Sequence, residues 1–444
     1  MIEIAPVAVV FIMFGGLVLA SLTGHPIAFI MMAMGTVLTF LTVGMPGTYL
    51  LIGRTFDQIT SGTLVAIPLF VLMASFLDRS GIAEDLFTSI MYMFGRLRGG
   101  LGLAVVILSV IFAASTGIVG AAVVGISMIA MPVMMKRGYD KSLSTGLICA
   151  GGSLGILIPP SIMLVMMADQ SGQSVGVLFA GAFMPGFLLG ALYFVYVLVY
   201  AKLKPNAAPA LPTEELMSIT PKEKFSMFLK SFVPPVILIA GVLGSIWMGV
   251  ATPTEAAGIG TMITFLMMAL KKRFNYAALK EILISSVKTN AMVMATMIGA
   301  TVFTGAFMRM GADVVVRNFI LSFQDYGKWA VFLVMMFFVF IMGFFIDWIG
   351  IIFITFPIYL PIANLLGFDI VWFIIVIAVN LQMSFITPPF GYALFYIQKT
   401  APKGVTLADI YRGIIRFIIL QMFGLALCVI FPQIVLWLPS LVRP

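Results

Sequence analysis

Charge is scarce in this chain. Only 9% of its 444 residues are Asp, Glu, Lys or Arg, and it holds one histidine and two cysteines. One histidine builds no transition-metal site, and His25, in a short turn beside Pro26, reads as a loop residue. Cys149 and Cys428 lie in apolar runs far apart in sequence, so they read as small buried hydrophobes and not as a disulfide framework. No Gly-rich loop ending in Gly-Lys-Ser/Thr is present, which removes ATP hydrolysis as a power source. A nucleophile with a histidine partner, a pair of carboxylates at one depth and a metal set are all missing, so an enzyme acting within the membrane is disfavoured. A basic segment ahead of the first apolar run is also missing, so that run reads as a span and not as a cleaved leader.

What the chain has in abundance is hydrophobic sequence, 62% of the residues, in repeated runs near twenty long. This describes an all-α polytopic membrane protein in a lipid bilayer. The net charge of +8 falls in short loops between runs, where it sets orientation and calls for no nucleic acid.

Two of the apolar runs contain segments that cannot be helical. Gly151-Gly152-Ser153-Leu154-Gly155-Ile156-Leu157-Ile158-Pro159-Pro160-Ser161 is one, and Ser384-Phe385-Ile386-Thr387-Pro388-Pro389-Phe390-Gly391 is the other. A double proline removes two backbone donors and ends a helix. In hydrocarbon such a break survives only where protein or a water-filled cavity surrounds it. A matched pair of breaks points to the binding site of a transporter.

The breaks belong to an internal repeat. A shift of 229 positions lays Pro159-Pro160 on Pro388-Pro389, Gly138-Tyr139-Asp140 on Gly367-Phe368-Asp369, and Pro132 on Pro361. Further back, with one insertion, Arg79-Ser80-Gly81 matches Arg309-Met310-Gly311. The basic residues place Arg79, Arg96, Arg98, Lys136, Lys202, Lys271, Lys399 and Arg412 on the inner side. Both termini are then expected outside, and the second half runs opposite to the first. The expected division is N-terminal scaffold spans (1–62) and a first repeat (63–200), with a hairpin tip near 115–120 and a broken helix at 151–161. A cytoplasmic linker, further scaffold spans and an interfacial helix (201–289) follow. The second repeat (290–412) has its tip near 343–350 and its broken helix at 383–391, ahead of a C-terminal span (413–444). Whether 101–135 forms two spans or a re-entrant hairpin stays open at this stage.

Inverted repeats with broken helices describe a secondary transporter. Unwound carbonyls suit a hard cation and half-helix N-termini suit an anion. Hydroxyls near the breaks and tips are supplied by Ser115, Thr116, Ser153, Ser161, Ser384 and Thr387. Asp347 stands within a long apolar run, where a carboxylate costs roughly 3 kcal/mol on the insertion scale, so it is a candidate ion or proton site. Glu255 follows Thr252 at capping-box spacing, a structural alternative to any role in transport.

With these motifs the chain resembles the large membrane subunit of TRAP (tripartite ATP-independent periplasmic) transporters, nearly end to end. The resemblance rests on Gly152-Ser153-Leu154-Gly155, Ile158-Pro159-Pro160-Ser161, Lys136-Arg137-Gly138-Tyr139-Asp140, Pro185-Gly186, Ala251-Thr252-Pro253-Thr254-Glu255-Ala256-Ala257 and Thr387-Pro388-Pro389-Phe390-Gly391. It implies an elevator-type secondary transporter of the bacterial cytoplasmic (inner) membrane, built from two re-entrant hairpins and two broken helices. Sodium is then the coupling ion and no cofactor is needed. One sodium site would lie among Ser115, Thr116, Gly117, Gly152, Ser153, Ile156 and Pro159. The other would lie among Gly343, Asp347, Met383, Ser384, Thr387 and Pro388. Substrate contacts would involve Pro160, Ser161, Pro389, Thr252 and Glu255. The implied partners are a small four-helix membrane subunit, a periplasmic substrate-binding protein and an organic acid. At the first tip the family often reads Ser-Gly-Ser, and here Thr116-Gly117-Ile118 lacks one hydroxyl. A stand-alone proton- or sodium-coupled anion transporter of the same architecture is the alternative.

Overall fold

A computed structural model describes residues 2–116, 119–217, 219–388 and 391–442, with the side chains at 114–116 outside the description. The elements are helices throughout. The first seven are α1 (Pro6–Ser21), α2 (Ile27–Val43), α3 (Met45–Ile59), α4 (Ala66–Ser80), α5 (Ile82–Phe94), α6 (Gly100–Thr116) and α7 (Val119–Lys136). Then come α8 (Lys141–Ser153), α9 (Ile162–Ser171), α10 (Val175–Leu203), α11 (Thr213–Met217), α12 (Pro221–Trp247), α13 (Pro253–Leu270) and α14 (Tyr276–Arg309). The last seven are α15 (Ala312–Leu321), α16 (Lys328–Met342), α17 (Trp348–Leu365), α18 (Ile370–Ser384), α19 (Tyr392–Thr400), α20 (Leu407–Ile430) and α21 (Gln433–Val442). Among the described residues, eight helices are long and apolar enough to cross a membrane. Large apolar side chains such as Phe11 and Leu270 lie on the outer surface. In water these would form exposed patches, whereas lipid solvates them.

The repeat is visible in backbone detail. Gly81 opens α5 at φ 75° and Gly311 opens α15 at φ 72°, both left-handed, a conformation glycine takes without steric penalty. Gly138 and Gly367 close α7 and α17 at φ 72° and 71°. One turn later Asp140 accepts from the Leu143 amide and Asp369 from the Trp372 amide, capping the two helices that break. Pro132 and Pro361 occupy matching interior positions of α7 and α17. In each half the order is a tilted pair, a hairpin and a broken helix: α4–α10 in the first, α14–α20 in the second.

The first long apolar run becomes two helices of 17 and 18 residues. Val119 and Gly120, at the start of the second of them, line a cavity together with Ile162 and Phe385, next to the two breaks. The expected interfacial helix Tyr276–Lys288 and the following span are in fact one helix, α14, of 34 residues. No glycine or proline interrupts it before Gly299, so nothing stops the helix between its amphipathic start and its apolar body.

Two close helix contacts organise the core. α14 lies along α2, where a Cβ on Gly35 would sit 2.8 Å from the Val302 carbonyl oxygen. α20 lies along α8, where a Cβ on Gly146 would sit 2.6 Å from the Gly413 backbone. The last long helix, expected as a separate C-terminal span, is therefore packed on the first broken helix. Lys271 pairs with Asp85 and Arg273 with Glu84. Asp169, near the end of α9, accepts from Gln58 of α3 at 2.9 Å.

Candidate functional site

The first break runs from the end of α8 through a short 3-10 turn, Leu154–Ile156, to Ser161, which caps α9. The Ser161 hydroxyl donates to the Ile156 carbonyl, so the loop closes on itself. Gly152 is buried where any side chain would meet Val123 of α7. The Pro159–Pro160 peptide is cis. The second break starts at the end of α18, where Phe385 is the C-cap, and runs to Gly391.

The hydroxyls at the breaks share one arrangement. Ser153 donates to the Ala150 carbonyl at 2.8 Å, Ser384 to Leu381 at 2.7 Å and Thr387 to Met383 at 2.7 Å. Each has committed its proton to its own helix. What it offers elsewhere is oxygen lone pairs, the chemistry a hard cation accepts. At the second site Gly343, the C-cap of α16, packs directly on the Ser384 side chain, and a Cβ there would collide with it. Met383 is buried, while Thr387 and Pro388 are partly exposed. The structure thus brings Gly343 and Ser384, two of the residues the resemblance grouped, into contact. The first site cannot be assembled in the same way. Gly117 and Pro389 lie outside the described residues, as do the side chains of Ser115 and Thr116.

A cavity of about 880 Å³ lies beside these elements. Val119 and Gly120 reach it from the first tip, Phe344, Asp347 and Trp348 from the second. Ile162 borders it after the first break, and Phe385, Tyr392 and Tyr396 border it from the second. The opposite wall is the α1–α2 turn, including His25, and the Ala291–Thr296 stretch of α14. Asp347 is the N-cap residue of α17, where the positive end of the helix favours a carboxylate. It is the one carboxylate among the described lining residues. His25 is a loop residue, as read from the sequence, and the turn that carries it forms part of the wall. Its Nδ1 lies 2.8 Å from the Thr23 hydroxyl.

Thr252 and Glu255 are not among the lining residues. They form an exposed capping box at the start of α13, in which Glu255 accepts from the Thr252 amide at 2.7 Å and Thr252 accepts from the Glu255 amide at 3.3 Å. Their spare hydrogen-bonding capacity is used in starting the helix. The sequence reading missed Gln421 of α20. This fully buried side chain donates to the Ser153 hydroxyl oxygen at 3.2 Å and to the Tyr193 hydroxyl at 2.8 Å. The available signal was a carboxamide in the middle of a run otherwise apolar from Phe417 to Leu427.

A family model described as "Tripartite ATP-independent periplasmic transporter, DctM component" matches residues 14–434. The C4-dicarboxylate TRAP transporter large permease protein DctM of Pseudomonas aeruginosa is 30% identical over 388 residues, 87% of this chain and 88% of that one. The protein of the same name from Rhodobacter capsulatus is 30% identical over 447 residues, 97% of this chain and 98% of that one. Among solved structures, the YdaH transporter of Alcanivorax borkumensis shares the fold, with a TM-score of 0.59 at 13% identity over 94% of this chain and 98% of that one. Inverted repeat, paired breaks and end-to-end similarity agree, and the chain belongs to the DctM family of TRAP transporter large permease subunits.

Proposed function

We propose that this permease imports an organic acid carrying a carboxylate across the bacterial cytoplasmic membrane, by sodium symport and an elevator movement. One observation supports the reading: one cavity has two walls, which the elevator reading assigns to different bodies. The α1–α2 turn and α14 form one wall, and the tips and breaks of both repeats form the other. Sliding the second body past the first carries the cavity from one side of the membrane to the other while the helices stay intact.

Sodium suits the site because the hydroxyls of Ser384 and Thr387 present lone pairs beside Gly343, with unwound carbonyls next to them. A bound cation also supplies positive charge near the cavity, whose described lining has no lysine or arginine to meet a carboxylate. The name of the Pseudomonas aeruginosa relative, for C4-dicarboxylates, supports an acid as cargo. The tripartite family description supports two partners, a small four-helix membrane subunit and a periplasmic substrate-binding protein.

The test is uptake into proteoliposomes holding this chain, its small membrane subunit, the cognate binding protein and a candidate organic acid. Accumulation is expected under an inward sodium gradient with the binding protein present. Accumulation without the binding protein, or under a proton gradient alone, overturns the reading. A proton-driven result favours the alternative coupling through Asp347, the carboxylate on the cavity wall.

A further inference from the structure

A second cavity, of about 710 Å³, lies apart from the first. Val110 of α6, Phe187 and Gly190 of α10, and Val236 and Leu243 of α12 line it, together with Pro159 of the first break. Its volume is that of a small-molecule site, far above a packing void. Every lining side chain is aliphatic or aromatic. The one polar side-chain atom among them, the Trp247 Nε1, already donates to the Gly176 carbonyl at 3.2 Å. Water in the space would find no side-chain partners, and a stable buried water needs two or more.

The shape and the mouth of the cavity decide what fills it. On α12 the lining extends from Phe232 to Trp247, a rise of roughly 22 Å at 1.5 Å per residue. The space is a long trough and not a compact pocket. Its rim includes Phe187, Val195 and Val236, each exposed on a membrane-spanning helix, so it opens towards hydrocarbon. The molecule available there is lipid, and the part of a lipid with that length and chemistry is one acyl chain. We infer that a phospholipid acyl chain occupies the trough between α12 and the α6–α10 pair, touching Pro159 of the first break. In the elevator reading α12 stands in the scaffold while α6, α10 and the break travel, so the chain lies in the sliding interface. The binding site itself stands whether or not that movement occurs.

The experiment uses the full chain with its small membrane subunit in liposomes containing phosphatidylcholine that carries a diazirine in one acyl chain. After photolysis, adducts are mapped by peptide mass spectrometry. Adducts on 183–195 and 232–247 are expected at least fivefold above those on α3, an amphipathic helix whose Ile52 and Phe56 side chains are openly exposed. In Ala240→Trp, which fills the trough, they are expected to fall at least fivefold while those on α3 persist. Ala191→Phe fills the same space from the opposite wall and supplies the answer if Ala240→Trp is not recovered folded. Adducts no denser than on α3, adducts indifferent to both fillings, or cross-links from the lining to the small subunit in place of lipid would each overturn the inference.

Discussion

Replacing Gly343 by alanine tests whether the second tip and the second break form one ion site. Gly343 has φ −64°, ordinary helical backbone, so alanine brings no conformational strain there. Its methyl group would instead overlap the Ser384 side chain, whose hydroxyl is held by the Leu381 carbonyl. Inserting a methyl into a packed contact costs about 1–3 kcal/mol. The less flexible unfolded chain returns about 0.4–1 kcal/mol. The difference, at most roughly 2.6 kcal/mol, corresponds to a change of up to about eightyfold in an equilibrium constant. If the tip must lie on Ser384 to complete the site, the loss appears as weaker sodium binding. The assay is a sodium titration of uptake, with sodium-dependent thermal stabilisation of the purified protein as a second readout. Gly258→Ala on α13, where a Cβ meets nothing within 4 Å, is the control. A Gly343→Ala protein that folds normally and half-saturates at the same sodium concentration as the control refutes the reasoning.

Gln421→Leu leaves the buried Tyr193 and Ser153 oxygens without their shared donor, and a lowered thermal midpoint is expected from a loss of about 1–3 kcal/mol. Glu255→Ala removes half of an exposed capping box, so about 0.5–2 kcal/mol of stability is lost and the substrate concentration for half-maximal uptake stays unchanged. A shift in that concentration would return Glu255 to the substrate path. Glu84→Gln breaks an exposed pair with Arg273, and denaturation midpoints should show a change below about 1 kcal/mol.

Much of this architecture is legible in the sequence because membrane helices punish irregular backbone. Pro159-Pro160 and Pro388-Pro389, each set among glycines and hydroxyl residues, read as breaks, whereas Pro234-Pro235 lies inside the continuous helix α12, so the doublet alone does not dictate one; the glycines at 81, 138, 311 and 367 mark left-handed turns that the structure repeats in register. The hydrophobic runs locate the spans for the same reason. Long-range side-chain geometry was out of reach. Nothing adjacent to His25 announces that its turn walls a cavity with Tyr392 and Tyr396, more than 360 positions away. Gln421 gains its meaning only when Gly146 and Gly413 let α20 approach α8 closely enough to meet Ser153. Thr252 and Glu255 form the capping box that their spacing announced, because that geometry is local to one helix turn.

The close fit of α20 on α8 also determines what a label can report. α1 packs on α2 and α15, whereas α20 and α21 hold α8, α10 and α18. The two ends of the chain are therefore packed on different sets of helices. A donor near residue 5 and an acceptor near residue 440 would act as a ruler across the proposed sliding plane, and single-molecule energy transfer between them would count transport strokes without a probe in the cavity.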